Sequence, residues 1–359
     1  MLSKGIRRLL RALKSPRMIM SGITLIVLGV IIYASRHQLV RAWELLGQAD
    51  IRMLLLLIPL QFIVYFAGGE MVFSYLRGKK LIRHISRLTQ TRIDLELNLV
   101  NHLFPSGGAS GMSYVAWRLH KLGVPPARST FAQVVRYVMG FVAYVVLMAV
   151  SLIVLGIADH LNTWVMLGGV GLICVLLGLS ALVVHMFKSK QRMHRAAQVI
   201  ARWLNRLARA ASFGKVKQMV VAAKVEAFFL EMHDDFGELS GEKSLVIRPF
   251  LWGLVYSSID VLMFVVTFHS LGITVDPAVL MIGYGVAGLA GLVAFTPGGA
   301  GVHETIMILF LQLSGVDPGA AIAGIVLTRA ILLTGTIVFG YLFYQHALLK
   351  YGTPRGSES

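Results

Sequence analysis

The chain has 359 residues, of which 56% are hydrophobic and 14% are charged. This composition excludes a soluble globular domain and indicates a protein with several membrane-spanning helices. A formal net charge of +17 would suit a nucleic-acid-binding protein, but the basic residues lie between apolar segments, so no nucleic-acid partner is expected.

Six apolar segments are long enough to cross a bilayer as helices. The first follows a basic cluster and has no small-residue cleavage site, so it is predicted to be a retained span rather than a signal peptide. The predicted spans are residues 18–35, 53–76, 131–157, 164–187, 250–271 and 320–349.

Two further apolar stretches, residues 93–118 and 278–314, do not fit as simple crossings. The first has basic residues at both ends, whereas acidic loops at Asp276 and Asp317 flank the second. Pro-Ser-Gly-Gly interrupts the first stretch and Pro-Gly-Gly interrupts the second. Each stretch is therefore predicted to enter the membrane and return as a re-entrant helical hairpin.

The order span, span, hairpin, span occurs twice along the chain. Three crossings per copy require the second copy to be inverted relative to the first. Glu70 and Asp260 are 190 positions apart, and Arg136 and Arg329 are 193 apart, which favours a repeat. We therefore predict an all-α polytopic membrane protein, with six full transmembrane helices plus two re-entrant helical hairpins in an inverted-topology repeat.

The first repeat is predicted to cover residues 1–157 and the second residues 158–349, with a tail at 350–359. The second repeat is longer because it holds a basic insertion at 188–248. Within the insertion, residues 192–211 place arginines on one helical stripe and apolar residues on another. Such a helix is predicted to lie on a membrane surface, the alternative being a solvated helix packed on the protein's own core.

Most of the 34 Lys and Arg residues lie in segments that an alternating topology places on one side of the membrane. The positive-inside rule assigns that side to the cytoplasm, so both termini are predicted to be cytoplasmic. The segments are residues 1–17, 77–92, 118–128, 188–248 and 350–359.

Four charged side chains, Glu70, Arg136, Asp260 and Arg329, are predicted to lie at hydrocarbon depth. An unpaired charge there costs roughly 2.5–3.5 kcal/mol, so each must be paired or hydrated. They either form structural ion pairs that hold the helices together or line a polar cavity. Their doubled placement beside two helix breaks favours the cavity.

Glycine and proline at the breaks let the backbone approach a ligand closely, and the next short helix offers free N–H groups to an anion. No metal or other cofactor is predicted, because no second histidine follows His303 and Glu304 at the spacing of a zinc motif. No catalytic residue is assigned. The predicted substrate-binding residues are Glu70, Asn101, His102, Pro105, Gly107, Gly108, Arg136, Asp260, Pro297, Gly298, Gly299, His303, Glu304 and Arg329.

The segment from Phe295 to Glu304 is similar to the signature of the lysylphosphatidylglycerol synthase/flippase transmembrane family, and Asn101 to Gly108 resembles its first, paired motif. That family includes the membrane half of the bacterial multiple-peptide-resistance factor and stand-alone relatives. The resemblance implies lipid translocation between leaflets, a headgroup cavity at the two hairpins, often a homodimer, and location in the bacterial cytoplasmic (inner) membrane. Ten residues follow Leu349, so the synthase activity is not expected here.

These inferences predict a transporter rather than an enzyme, namely a lipid flippase or scramblase with a central polar cavity. The expected partners are membrane lipids (anionic or aminoacylated phospholipid, or polyprenyl-linked and other glycolipids), and the family resemblance adds a second copy of the chain as a homodimer partner. Two alternatives stay open. One is an ion-coupled carrier for a small anion, and the other is a membrane-embedded transferase on lipid-linked substrates.

Overall fold

A computed structural model of the chain describes residues 43–82, 85–104, 108–159, 162–211, 221–239, 241–293 and 299–351, together with Tyr33, Val40 and Thr296. These residues form α-helices joined by short loops and contain no β-strand. The predicted span 18–35, except for Tyr33, lies outside the described residues. The same is true of the tail at 352–359.

Besides the helical residues Tyr33, Val40 and 43–46, twelve helices make up the described part of the chain. They are α1 (Ile51–Leu55), α2 (Leu57–Gly78), α3 (Arg87–Leu103), α4 (Ala109–His120), α5 (Pro126–Ile157), α6 (Thr163–Phe187), α7 (Lys190–Ala211), α8 (Ala222–Leu239), α9 (Ser244–Ser270), α10 (Pro277–Val293), α11 (Val302–Leu313) and α12 (Pro318–Tyr351).

Five helical stretches in this part are long and apolar enough to cross a membrane. They are α1 joined to α2, α5, α6, α9 and α12, and they coincide with five of the six predicted spans. Many of their aliphatic side chains face outward, as expected of helices surrounded by lipid. The protein is therefore a multi-pass membrane protein whose described part is all-helical.

Both predicted hairpin stretches consist of two helices rather than one. Helix α3 ends at Leu103 and α4 begins at Ala109, while α10 ends before the second glycine-rich break and α11 begins after it. Gly108, at the start of α4, has a φ of +90°, a left-handed conformation that glycine adopts without strain. The helices of each pair contact each other. The predicted interruptions are confirmed, and the re-entrant path through a membrane stays a prediction.

Helices from the two halves of the chain pack against one another. The most extensive contact between two helices joins α2 to α9, the second predicted span of each half. Helix α3 of the first hairpin packs on α12, and α10 of the second hairpin packs on α5. Each hairpin therefore rests on the last span of the other half.

Polar contacts join loops at one end of the helix bundle. The backbone N–H of Asp50 donates to the carbonyl of Ser270 (2.8 Å), which connects the start of α1 to the end of α9. The side-chain amide of Asn162 donates to the carbonyl of Leu313 (3.2 Å), which connects the start of α6 to the end of α11. All four residues lie at helix ends, next to loops that are predicted on the same side of the membrane.

The insertion contacts the opposite end of the bundle. Lys79, just after α2, pairs with Glu238 of α8, and Arg128 of α5 lies 3.8 Å from Asp235 of α8. Burial raises the pKa of the Asp235 carboxyl, and the nearby Arg128 guanidinium opposes that rise. Helices α2 and α5 both lead from this end to the other, so the contacts described here lie at two opposite ends of the bundle. Which end faces the cytoplasm stays a prediction.

Candidate functional site

A buried ion pair joins the first hairpin to the last span of its own half. Arg136 of α5 donates to Asp94 of α3, and their side chains are 12% and 2% exposed. Gly68 of α2 lies against the pair: a Cβ at that position would be 2.5 Å from Asp94 Oδ2 and 2.9 Å from Arg136 Nη2. The ion pair therefore occupies space that is available only because residue 68 has no side chain.

A second buried pair lies at the second hairpin. Arg329 Nε of α12 donates to Glu304 Oε1 of α11 over 2.6 Å. The other carboxylate oxygen, Oε2, accepts from the backbone N–H of Gly301 over 2.6 Å. Glu304 therefore caps the start of its own helix and pairs with an arginine at the same time. An anion is predicted to bind the free N–H groups at this helix start. For the Gly301 N–H, the Glu304 carboxylate of the chain itself is that anion.

A cavity of about 370 Å³ lies between the two halves of the chain. Its walls come from α3 and α5 of the first half and from α9 and α10 of the second, together with residues beside both helix breaks. Six of the predicted site residues line it: Asn101, His102, Gly108, Arg136, Gly299 and His303.

Aromatic side chains make up much of the remaining wall. Tyr137, Phe141 and Tyr144 of α5 follow one another at helical spacing, so they share the face that Arg136 adjoins. Tyr256 and Tyr284 line the cavity from the second half. The sequence prediction missed all five, although the spacing of the three α5 residues could have indicated a common face.

Two buried polar atoms in the cavity wall have no hydrogen-bond partner among the described residues. They are Nδ1 of His303, a residue that is 6% exposed, and Oγ1 of Thr296. Both residues line the cavity next to the second break. Because a buried polar atom without a partner is costly, these two atoms are suited to a bound polar group or to water.

The amide-rich part of the wall comes from α3. Asn98 lines the cavity together with Asn101 and His102, one helical turn further along. The carbonyl of Asn98 lies 2.8 Å from His102 Nδ1 and accepts a hydrogen bond from it, and the Asn98 amide donates to the Asp94 carbonyl over 2.9 Å. Asn98 was not among the predicted site residues. It links the Asp94–Arg136 pair to the cavity.

Four predicted site residues do not line the cavity. Glu70 of α2 accepts hydrogen bonds from Arg77, Arg87 and the amide of Gln90, the last over 2.5 Å. Asp260 accepts from the hydroxyl of the cavity residue Tyr284. The other two, Glu304 and Arg329, form the second ion pair.

The remaining four predicted residues, Pro105, Gly107, Pro297 and Gly298, lie outside the described residues. Within the described part, no group of three or more His, Cys, Asp or Glu side chains is placed to hold a metal ion.

Comparison with protein families gives one match over most of the chain. Residues 19–340 match the family described as the lysylphosphatidylglycerol synthase TM region. The matched segment contains both hairpins, both buried arginine pairs and every residue of the cavity wall. A search of solved structures found no match.

Two curated proteins are similar to this chain. A UPF0104 membrane protein of Methanothermobacter thermautotrophicus is 22% identical over 319 residues, covering 86% of this chain and 90% of that protein. The glycosyltransferase AglD of Haloferax volcanii is 32% identical over 126 residues. That match covers 34% of this chain and spans only 20% of the length of AglD.

Proposed function

Because the chain belongs to the lysylphosphatidylglycerol synthase transmembrane family, we propose that it moves a lipid with a polar headgroup between membrane leaflets, as a flippase or scramblase. The observation that carries this proposal is the cavity between the two halves. Its wall combines an arginine, two histidines and two asparagines with several tyrosines. A headgroup would occupy this polar space while its acyl chains stay in the surrounding lipid.

The transport path would follow from an inverted repeat of six spans and two re-entrant hairpins. The reciprocal packing of α3 on α12 and of α10 on α5 supports this arrangement, because a pseudo-twofold axis exchanges those two contacts. Rocking one half against the other would open the cavity first to one leaflet and then to the other. The division of the contacts between two ends of the bundle is what such a topology requires. The distribution of Lys and Arg carries the further proposal that both termini lie in the cytoplasm, and the family resemblance carries the proposal that the membrane is a bacterial inner membrane.

Within the cavity, the unpartnered His303 Nδ1 and Thr296 Oγ1 would bond the polar part of the headgroup. Arg136 would contribute a positive charge that Asp94 holds in place. The substrate would be a phospholipid, anionic or aminoacylated, or a polyprenyl-linked or other glycolipid. In this account the chain acts as a transporter and not as an enzyme. A homodimer remains a prediction from the family resemblance.

The similarity to a protein named glycosyltransferase favours one second candidate, a membrane-embedded transferase that acts on a lipid-linked substrate. Histidines such as His102 and His303 in the cavity would then be the candidates for proton transfer. A carrier for a small anion would use the same cavity. Neither a transferase nor an anion carrier would change the distribution of intact lipid between the leaflets, whereas a lipid transporter would.

Reconstitution tests the proposal. Liposomes that contain the protein and a lipid with a fluorescent headgroup are treated with a membrane-impermeant reductant, across anionic, cationic and sugar-bearing headgroups. Lipid transport predicts bleaching beyond the outer-leaflet fraction for at least one headgroup, whereas protein-free liposomes stop at that fraction. Bleaching confined to the outer leaflet for every headgroup would refute the proposal. A chemically altered lipid in the extract would favour the transferase.

A further inference from the structure

Helix α7 of the insertion has a buried face and an exposed apolar edge. Met193, Ala197 and Ala201 are buried, and the last two pack with Val225 of α8. Beside that face, Ile200 and Trp203 are 38% and 62% exposed. Packing on α8 therefore covers only part of the apolar surface of α7, and an indole ring stays largely uncovered.

The side of α7 next to this edge is strongly basic. Residues 190–225 contain nine Lys and Arg residues and no Asp or Glu. Arg195, Arg202 and Arg206 are exposed, and no carboxylate of the described residues forms an ion pair with them. A surface of like charges with no internal counterion favours an anionic partner.

The position of α7 restricts what that partner is. The helix begins three residues after Phe187, where α6 ends, so its first turn lies next to the end of a membrane span. An exposed tryptophan and aliphatic edge beside a stripe of arginines is the pattern of a helix that lies in a bilayer interface. A soluble acidic partner would account for the arginines but not for the exposed apolar edge.

We propose that α7 is an interfacial anchor whose Ile200–Trp203 edge inserts into the headgroup layer of an anionic bilayer, with Arg195, Arg202 and Arg206 contacting lipid phosphates. The partner that binds this surface is thus the same membrane that the protein spans. The proposal does not depend on the transported substrate, because the anchor lies in the insertion and not in the cavity wall.

Site-specific fluorescence quenching in nanodiscs tests the anchor. A fluorophore is attached to full-length Cys174→Ser protein through either Ile200→Cys or Gln198→Cys, which places the label on or away from the apolar edge. The nanodiscs contain phosphatidylcholine alone or mixed with phosphatidylglycerol, and a trace of nitroxide-labelled lipid. We expect strong quenching at residue 200 with phosphatidylglycerol, weaker quenching without it, and little quenching at residue 198 in either lipid.

Charge variants separate the anchor from general basicity. Changing Arg195, Arg202 and Arg206 to Gln is expected to weaken the contact with the anionic surface on the order of 100-fold. Quenching at residue 200 should then fall to its level in phosphatidylcholine. Changing Lys80, Lys121 and Lys243 to Gln removes the same charge elsewhere and should leave quenching intact. Equal quenching at residues 198 and 200 would overturn the proposal. So would a fluorescence change at residue 200 that appears only when RNA or an acidic protein is added and not with phosphatidylglycerol.

Discussion

Asp94 and Arg136 raise the main question at the residue scale, whether a buried ion pair only holds helices together or also handles the headgroup. Removing one partner of such a pair leaves an uncompensated buried charge, which costs about 3–5 kcal/mol. A single substitution therefore confounds folding with transport. The double variant Asp94→Asn with Arg136→Gln removes both charges and keeps similar shapes.

We expect Arg136→Gln and Asp94→Asn each to lower the thermal stability in detergent, and the double variant to recover most of that loss. Lipid transport in the double variant should nevertheless stay at least tenfold below wild type, because the cavity has lost its positive charge. Thermal unfolding and the liposome bleaching assay measure the two effects. Full transport by the double variant would make the pair purely structural.

Gly68 provides a second test at this scale. An alanine there would place its Cβ within 2.5 Å of Asp94 Oδ2, so the ion pair would have to move. Gly68→Ala is expected to destabilise the protein by about 1–3 kcal/mol and to reduce transport. Gly156→Ala is the matched control, because no heavy atom lies within 4 Å of a Cβ at that helical position. Equal stability of the two variants would show that the space beside the pair is not needed.

At the scale of single elements, the start of α11 depends on one side chain. Glu304 accepts from the Gly301 N–H and also pairs with Arg329. Glu304→Gln keeps an acceptor for the N–H and loses the charge, whereas Glu304→Ala loses both. The alanine variant is therefore expected to be less stable than the glutamine variant by about 1 kcal/mol in the free energy of unfolding. Thermal unfolding in detergent should show this as a lower midpoint temperature. The exposed Glu242→Ala serves as control, and an identical loss in both Glu304 variants would exclude the capping role.

The elements themselves could largely be predicted from the sequence, because their causes are local. Long apolar runs determine the spans, and the glycine and proline residues end α3 and α10 where predicted. The partners of the charged residues could not be predicted in this way. The repeat register relates Glu70 to Asp260 as equivalent positions and says nothing of their partners. Glu70 bonds to Arg77, two turns along the same helix, and Arg136 pairs with Asp94, which is 42 positions away. Only tertiary packing decides between such acids.

At the scale of the whole molecule, the proposed transport path requires the two hairpins to enter the membrane from opposite sides. We expect Lys121→Cys, after α4, to react with an impermeant maleimide from the cytoplasmic side, and Thr274→Cys, before α10, to react from the outside. Both variants carry Cys174→Ser, and right-side-out and inverted vesicles provide the comparison. Reaction of both positions from the same side would contradict the inverted repeat.

We propose that a headgroup passes through the cavity between the halves. Gly288 lines this cavity, and no heavy atom lies within 4 Å of a Cβ built there, so a side chain added at this position starts in open space. We expect a tryptophan there to occupy part of the cavity. Gly178 on α6 is equally open but exposed on the outer surface of the bundle, which makes Gly178→Trp the matched control.

The most direct measurement is headgroup bleaching in liposomes that contain wild type, Gly288→Trp or Gly178→Trp at equal protein content. We expect wild type and Gly178→Trp to expose inner-leaflet lipid to the reductant, whereas Gly288→Trp leaves it protected although the protein is folded. Bleaching of the inner leaflet by Gly288→Trp at the wild-type rate would contradict transport through this cavity.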